Sequence, residues 1–128
     1  MPSQPVSEGG FVTTAREMLD ETAAMGRRLR DAIPDVYASY AQLHRAALRG
    51  GGALEPKLLE LIALAIAVTR ECDGCIASHA RGAFRAGATS QEVAETLGVA
   101  ILMNGGPATV WGPRAYAAFE EMSAERHP

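Results

Sequence analysis

This 128-residue chain lacks a strong charge of one sign, a long apolar run and a cysteine framework. Lys57 is its sole lysine, and the other positive charges are arginines scattered among acids, leaving a net charge of −3. No basic patch is available for a phosphate backbone, so nucleic acid is not an expected partner. The longest apolar-rich stretch, Leu58 to Val68, falls far short of the roughly 20 residues that span a bilayer, and no membrane partner is expected. The opening residues MPSQPVSEGG show no basic segment followed by an apolar one. No secretory signal is read there, and a cytoplasmic location is the expectation. The two cysteines, Cys72 and Cys75, would close a loop too small to constrain an unfolded chain. That excludes a framework staple and leaves redox chemistry or metal binding. Sustained strand alternation and internal repeats are missing as well.

What is present is an ordinary globular composition, 48% apolar and 21% charged, in a chain long enough for one core. The patterning is all-α, a helical bundle of about five to six helices. Residues 1–10, with Pro2, Pro5, Gly9 and Gly10, read as a flexible leader, and 11–128 as a single domain. An amphipathic helix is expected from Thr13 or Thr14 to Ile33. Pro34 then opens a second helix, which stops at Gly50-Gly51-Gly52. A third runs from Glu55-Pro56 to Arg70 and a fourth from Asp73 to Ala86, with Gly87 as its left-handed stop. Thr89-Ser90-Gln91-Glu92 is a capping box for the fifth, which ends at Gly105-Gly106. Pro107 opens the last helix, expected to be interrupted or kinked near Gly112-Pro113.

The stretch LLELIALAIAVTRECDGCIASH holds the candidate chemistry. Cys72, Cys75 and His79 recur at helical spacing and so lie along one face of the fourth helix, Cys72 at its first turn. Unpaired amides and the positive dipole end favour a thiolate there. If the third and fourth helices fold back at Glu71, Glu60 lies roughly 15 Å down one and His79 about 11 Å down the other. The two then meet at similar depth, with Cys75 one turn above the histidine. In that order a carboxylate orients the imidazole, and the imidazole takes the thiol proton.

Other readings stay open at this point. Glu60 can sit on a polar helix face beside Lys57, and His79 can be a structural hydrogen-bonding residue. Cys72, Cys75, His79 and Glu60 would also make four zinc ligands. A second cysteine pair is missing, however, and His44 and His127 lie far off in sequence. The βαβ context of a thioredoxin-like motif is absent. Met103, Trp111, Tyr116, Phe119 and Phe84 read as core or oligomer contacts. His44 facing the site across the bundle is considered and set aside.

Glu-x11-Cys-x2-Cys-x3-His, here Glu60, Cys72, Cys75 and His79, resembles the core motif of the alkylhydroperoxidase AhpD / carboxymuconolactone decarboxylase-like family. KLLELIALAIAV before it and ARGAFRAGATSQEVAETLGVAILMNGGPA after it extend the likeness over about Leu54 to Ala118. The resemblance implies an all-helical, cofactor-free domain forming homo-oligomers, commonly trimers or hexamers, that reduces hydroperoxides with its dithiol. By that analogy Cys75 attacks the peroxide and Cys72 resolves the sulfenic acid to a disulfide. His79 deprotonates Cys75, and Glu60 passes protons onward. A lipoylated protein, a thioredoxin-like protein or a small thiol restores the pair. Two features depart from the pattern. The helix terminus alone favours Cys72 as the thiolate, and Gly74 stands where some peroxidase members carry a histidine. The runner-up readings are a decarboxylase acting on a lactone acid and a non-catalytic redox sensor whose disulfide alters oligomer packing.

Overall fold

Helix starts in this chain follow from local chemistry. The computed structural model describes residues 14–126, so the expected 1–10 leader lies outside the described residues. Among them are six helices and no strand: α1 (Ala15–Ala32), α2 (Pro34–Leu48), α3 (Pro56–Thr69), α4 (Asp73–Arg85), α5 (Ser90–Asn104) and α6 (Gly106–Arg126). Thr14 and Glu17 form a capping box at α1, and Thr89 and Glu92 form another at α5. Pro34 and Pro56 occupy first-turn positions of α2 and α3, where a missing amide proton leaves no helical bond unmade. No helix among the described residues is long and apolar enough to cross a membrane.

Of the interruption or kink expected near Gly112-Pro113, the interruption is absent, because α6 continues through Pro113. Proline removes one helical hydrogen bond and crowds the residue before it. Here that residue is Gly112, which is buried and has no Cβ to be crowded.

Helices α3, α4, α5 and α6 pack on one another, with α1 lying against α4 and α2 against α3. Their shared core contains Leu61, Leu64 and Val68 of α3, Ile76 of α4, Val93 and Leu97 of α5, and Phe119 of α6. Alanines such as Ala80, Ala83, Ala108 and Ala115 are also fully covered, so the helices approach closely. Phe84 meets Phe119 edge-on, ring centroids 6.0 Å apart. Phe84, Trp111 and Tyr116 are partly buried against the core, whereas Met103 is 78% exposed and takes no part in it.

Helix α1 is tied down by α6. Glu121 accepts the amides of Ala15 and Arg16 at 2.9 and 3.2 Å, placing a carboxylate at the positive end of α1. Arg16 adds a two-pronged bridge to Glu125, at 2.8 and 2.6 Å.

Neither α1 nor α2 has a fully buried residue. On α2 the half-buried positions are Tyr37, Ala41, His44 and Leu48, which form one helical stripe. The more apolar stripe, Val36, Tyr40, Leu43 and Ala47, faces away from the bundle and is exposed.

Candidate active site

The turn between α3 and α4 sets the position of both sulfurs. Cys72 N–H donates to Ala67 O at 3.2 Å and Glu71 N–H to Val68 O at 3.1 Å. This is the Schellman pattern that closes a helix C-terminus, and Glu71 takes its left-handed position with φ 54°. Cys72 therefore supplies the outer bond of the turn that closes α3 and is also the N-cap of α4, where its Sγ accepts the Cys75 amide at 3.3 Å. Cys72 and Cys75 are joined as a disulfide, with Cα atoms 5.2 Å apart. Cys75 is exposed and Cys72 half-buried, so the pair can be reached from solvent. At the same end, Asp73 lies 3.5 Å from Arg114 of α6, whose guanidinium rests 4.3 Å above the Trp111 ring.

One turn below Cys75, His79 Nδ1 lies 2.8 Å from Glu60 Oε2. A carboxylate only accepts, so this bond puts the ring proton on Nδ1 and leaves Nε2 as the basic nitrogen. Both side chains are largely covered, His79 at 18% exposure and Glu60 at 12%. Fold-back at Glu71 thus brings Glu60 and His79 to one level. Lys57 pairs instead with Glu92 of α5 at 3.0 Å, so it leaves Glu60 to His79. In the disulfide form no hydrogen bond among the described residues joins the His79 ring to either sulfur. Nor do any three His, Cys, Asp or Glu residues among them form a group suited to a metal ion.

Two further residues complete the arrangement. A Cβ on Gly82 would sit inside the Glu60 carboxyl group, so only glycine lets that carboxylate lie against α4 at this level. A lone glycine within a helical pattern was the available signal. His44 of α2 stacks on His79, ring centroids 5.8 Å apart and planes 12° from parallel, and Tyr40 tilts over His44 at 6.5 Å. His44, set aside on sequence, thus does face the site across the bundle, because the inward stripe of α2 is its less apolar one. At Gly74 an added Cβ would make only ordinary contact with Thr22 of α1, so packing does not demand glycine there.

The profile of the carboxymuconolactone decarboxylase family matches residues 34–121. An uncharacterized protein of Cupriavidus necator is 33% identical over 89% of this chain and all of its own length. The uncharacterized protein 4 in the cox locus of Paracoccus denitrificans is 33% identical, over 79% of this chain and 89% of its own. A crystal structure of an apo carboxymuconolactone decarboxylase family protein from Legionella pneumophila superposes with a TM-score of 0.80. It is 36% identical and covers 85% of this chain and 96% of that one. A solved chain from Burkholderia xenovorans, 22% identical with a TM-score of 0.64, covers 90% of this chain and all of that one, and speaks to the fold alone. With its helical bundle, its Cys-x-x-Cys pair and a match over most of its length, the chain belongs to the carboxymuconolactone decarboxylase family, in which it resembles the AhpD-like proteins.

Proposed function

We propose that the protein is a thiol-dependent hydroperoxide reductase that cycles Cys72 and Cys75 between dithiol and disulfide. The observation that carries this reading is the Glu60–His79 hydrogen bond, set one helical turn below an exposed Cys75. In the reduced enzyme His79 Nε2 takes the Cys75 proton while Glu60 holds the Nδ1 proton and stabilises the imidazolium. The thiolate attacks the terminal peroxide oxygen and the O–O bond breaks. The alkoxide leaves as an alcohol with the proton from His79, and Cys75 becomes a sulfenic acid. Cys72 then attacks Cys75 sulfur, its thiolate favoured by the α4 N-terminus and the Cys75 amide. The S–S bond forms and water departs. An external dithiol donor, lipoylated or thioredoxin-like, or a pair of small thiols returns two electrons through thiol–disulfide exchange. A cytoplasmic location suits a pair that must be re-reduced.

The same reading includes a homo-oligomer, a trimer or hexamer. Its support is the uncovered apolar surface: Met25 and Leu29 of α1, Val36 and Leu43 of α2, and Ile62 and Ile66 of α3 are exposed. Light scattering on the purified chain reads its mass directly, and a monomer would remove this part.

Donor-coupled turnover of an alkyl hydroperoxide tests the chemistry. Cys75→Ser and Cys72→Ser are expected to abolish it, and His79→Ala and Glu60→Gln to lower it by roughly 10²-fold or more. Full turnover by Cys75→Ser would overturn the assignment of the attacking sulfur. Thiol-independent conversion of a lactone acid, unaffected by either serine, would favour the decarboxylase reading. Stoichiometric oxidation with no turnover would favour a redox sensor.

A further inference from the structure

We infer that His44 is a positioning residue for His79, its near-parallel ring holding the imidazole in the plane that keeps Nδ1 on Glu60 and Nε2 free for the proton of Cys75. The inference rests on the reading of His79 as the base for Cys75.

A single hydrogen bond at Nδ1 tolerates bending, so alone it leaves the imidazole some freedom to tilt and rock. The Glu60 contact at 2.8 Å is such a bond. A near-parallel ring beside it limits that freedom, and His44 supplies one, its centroid 5.8 Å away and its plane 12° from that of His79. The two restraints differ in kind, one a hydrogen bond at the ring edge and the other a near-parallel neighbouring ring. They also come from different elements, Glu60 from α3 and His44 from α2.

The place of His44 on α2 supports a role of this kind. It stands on the half-buried stripe with Tyr37, Ala41 and Leu48, on a helix that buries no residue completely. Its ring is held in turn by Tyr40, one turn earlier, whose ring tilts at 50° over it. The column Tyr40–His44–His79 thus runs from the exposed stripe of α2 to the base on α4. Misplacing a proton acceptor by about 1 Å lowers a rate by up to roughly 10²-fold, so a restraint on the ring plane is worth having.

The test compares His44→Phe, which keeps a flat ring, with His44→Leu and His44→Ala, which do not. Alkylation of Cys75 by iodoacetamide in the reduced Cys72→Ser protein reads thiol activation without peroxide or donor. The Phe variant is expected to react within about twofold of its parent, and the Leu and Ala variants roughly tenfold more slowly. Nitrogen-15 NMR of the oxidised full-length protein gives a second readout. The His79 ring should show the Nδ1-protonated tautomer in the unsubstituted protein and in His44→Phe, and an averaged state in His44→Leu. A loss of packing alone would not produce that restoration by a flat ring. Equal alkylation rates and unchanged ring signals in all three variants would overturn the inference, as would a Phe variant as slow as Leu. If His44→Ala does not fold, the Leu and Phe pair decides. Should His79→Ala alkylate as fast as the parent, the base reading of the proposed function fails, while the NMR comparison still decides the stack.

Discussion

Two turns flank α4, and they solve the same backbone problem with different residues. At its end, Ala88 N–H donates to Ala83 O and Gly87 N–H to Phe84 O, with Gly87 in the left-handed region at φ 90°. At its start the same pair of bonds closes α3, yet the left-handed residue is Glu71. A side chain there meets a steric penalty that glycine escapes. The N-caps differ as well. Thr89 caps α5 with a hydroxyl and a reciprocal glutamate, whereas Cys72 caps α4 with a sulfur, a much poorer acceptor. The α4–α5 turn uses residues suited to stability, and the α3–α4 turn gives up two of those advantages. What it gains is a sulfur fixed by a backbone bond at the positive end of a helix. This is the pattern expected where chemistry overrides local optimisation.

The sharpest test of the contrast is at Gly82, in the last turn of α4. Gly82→Ala places a Cβ into the Glu60 carboxyl group, so turnover is expected to fall by roughly 10²-fold as the Glu60–His79 bond is displaced. A thermal midpoint measured beside it separates a displaced relay from a loosened bundle.

Substitutions at the two left-handed positions should have opposite signs. Gly87→Ala is expected to destabilise by about 1–2 kcal/mol, the left-handed penalty for an L-residue. Glu71→Gly should stabilise by roughly 0.5–1 kcal/mol, because relief of that penalty is partly offset by the greater freedom of glycine when unfolded. Chemical denaturation of both measures the difference. A destabilised Glu71→Gly would mean that the Glu71 side chain has a role at the turn beyond its backbone.

The caps make a similar pair. Thr89→Ala is expected to cost about 1 kcal/mol. In the reduced protein, Cys72→Ser should raise stability by a few tenths of a kcal/mol, since a hydroxyl caps better than a sulfur, while ending turnover. Denaturation under reducing conditions, run beside the peroxide assay, checks both halves.

The smallest effect concerns acid. The Thr89 amide and then Lys57 hold the Glu92 carboxyl below its ordinary value of 4.5. A carboxyl lowered in the folded state contributes stability that is complete above the ordinary value and fades as pH falls through the lowered one. Between pH ~6 and ~3, the thermal midpoint should therefore fall more steeply in the unsubstituted protein than in Glu92→Gln. Parallel curves would show that the bridge and cap contribute nothing measurable.

Much of this architecture was legible because its signals are local. Capping boxes, first-turn prolines and Gly87 act within a few residues, so Thr89, Pro56 and Gly87 mark their helix ends without reference to the rest of the chain. Pro113 does not interrupt α6, since a proline crowds its predecessor less when that residue has no Cβ. The level at which Glu60 meets His79 was also within reach, because rise per residue and one fold-back determine it.

Residue order and helix geometry suffice for which segments are helical, where α3 reverses into α4, and that Glu60, Cys72, Cys75 and His79 share one helix–turn–helix. Each of those follows from interactions a few residues apart or from the regular geometry of a helix. The tertiary structure alone decided that Lys57 goes to Glu92, that Gly82 makes room for a carboxylate, and that α2 turns its less apolar stripe inward so that His44 reaches His79. These depend on how separate helices rotate and dock against one another. No spacing within one segment encodes that rotation.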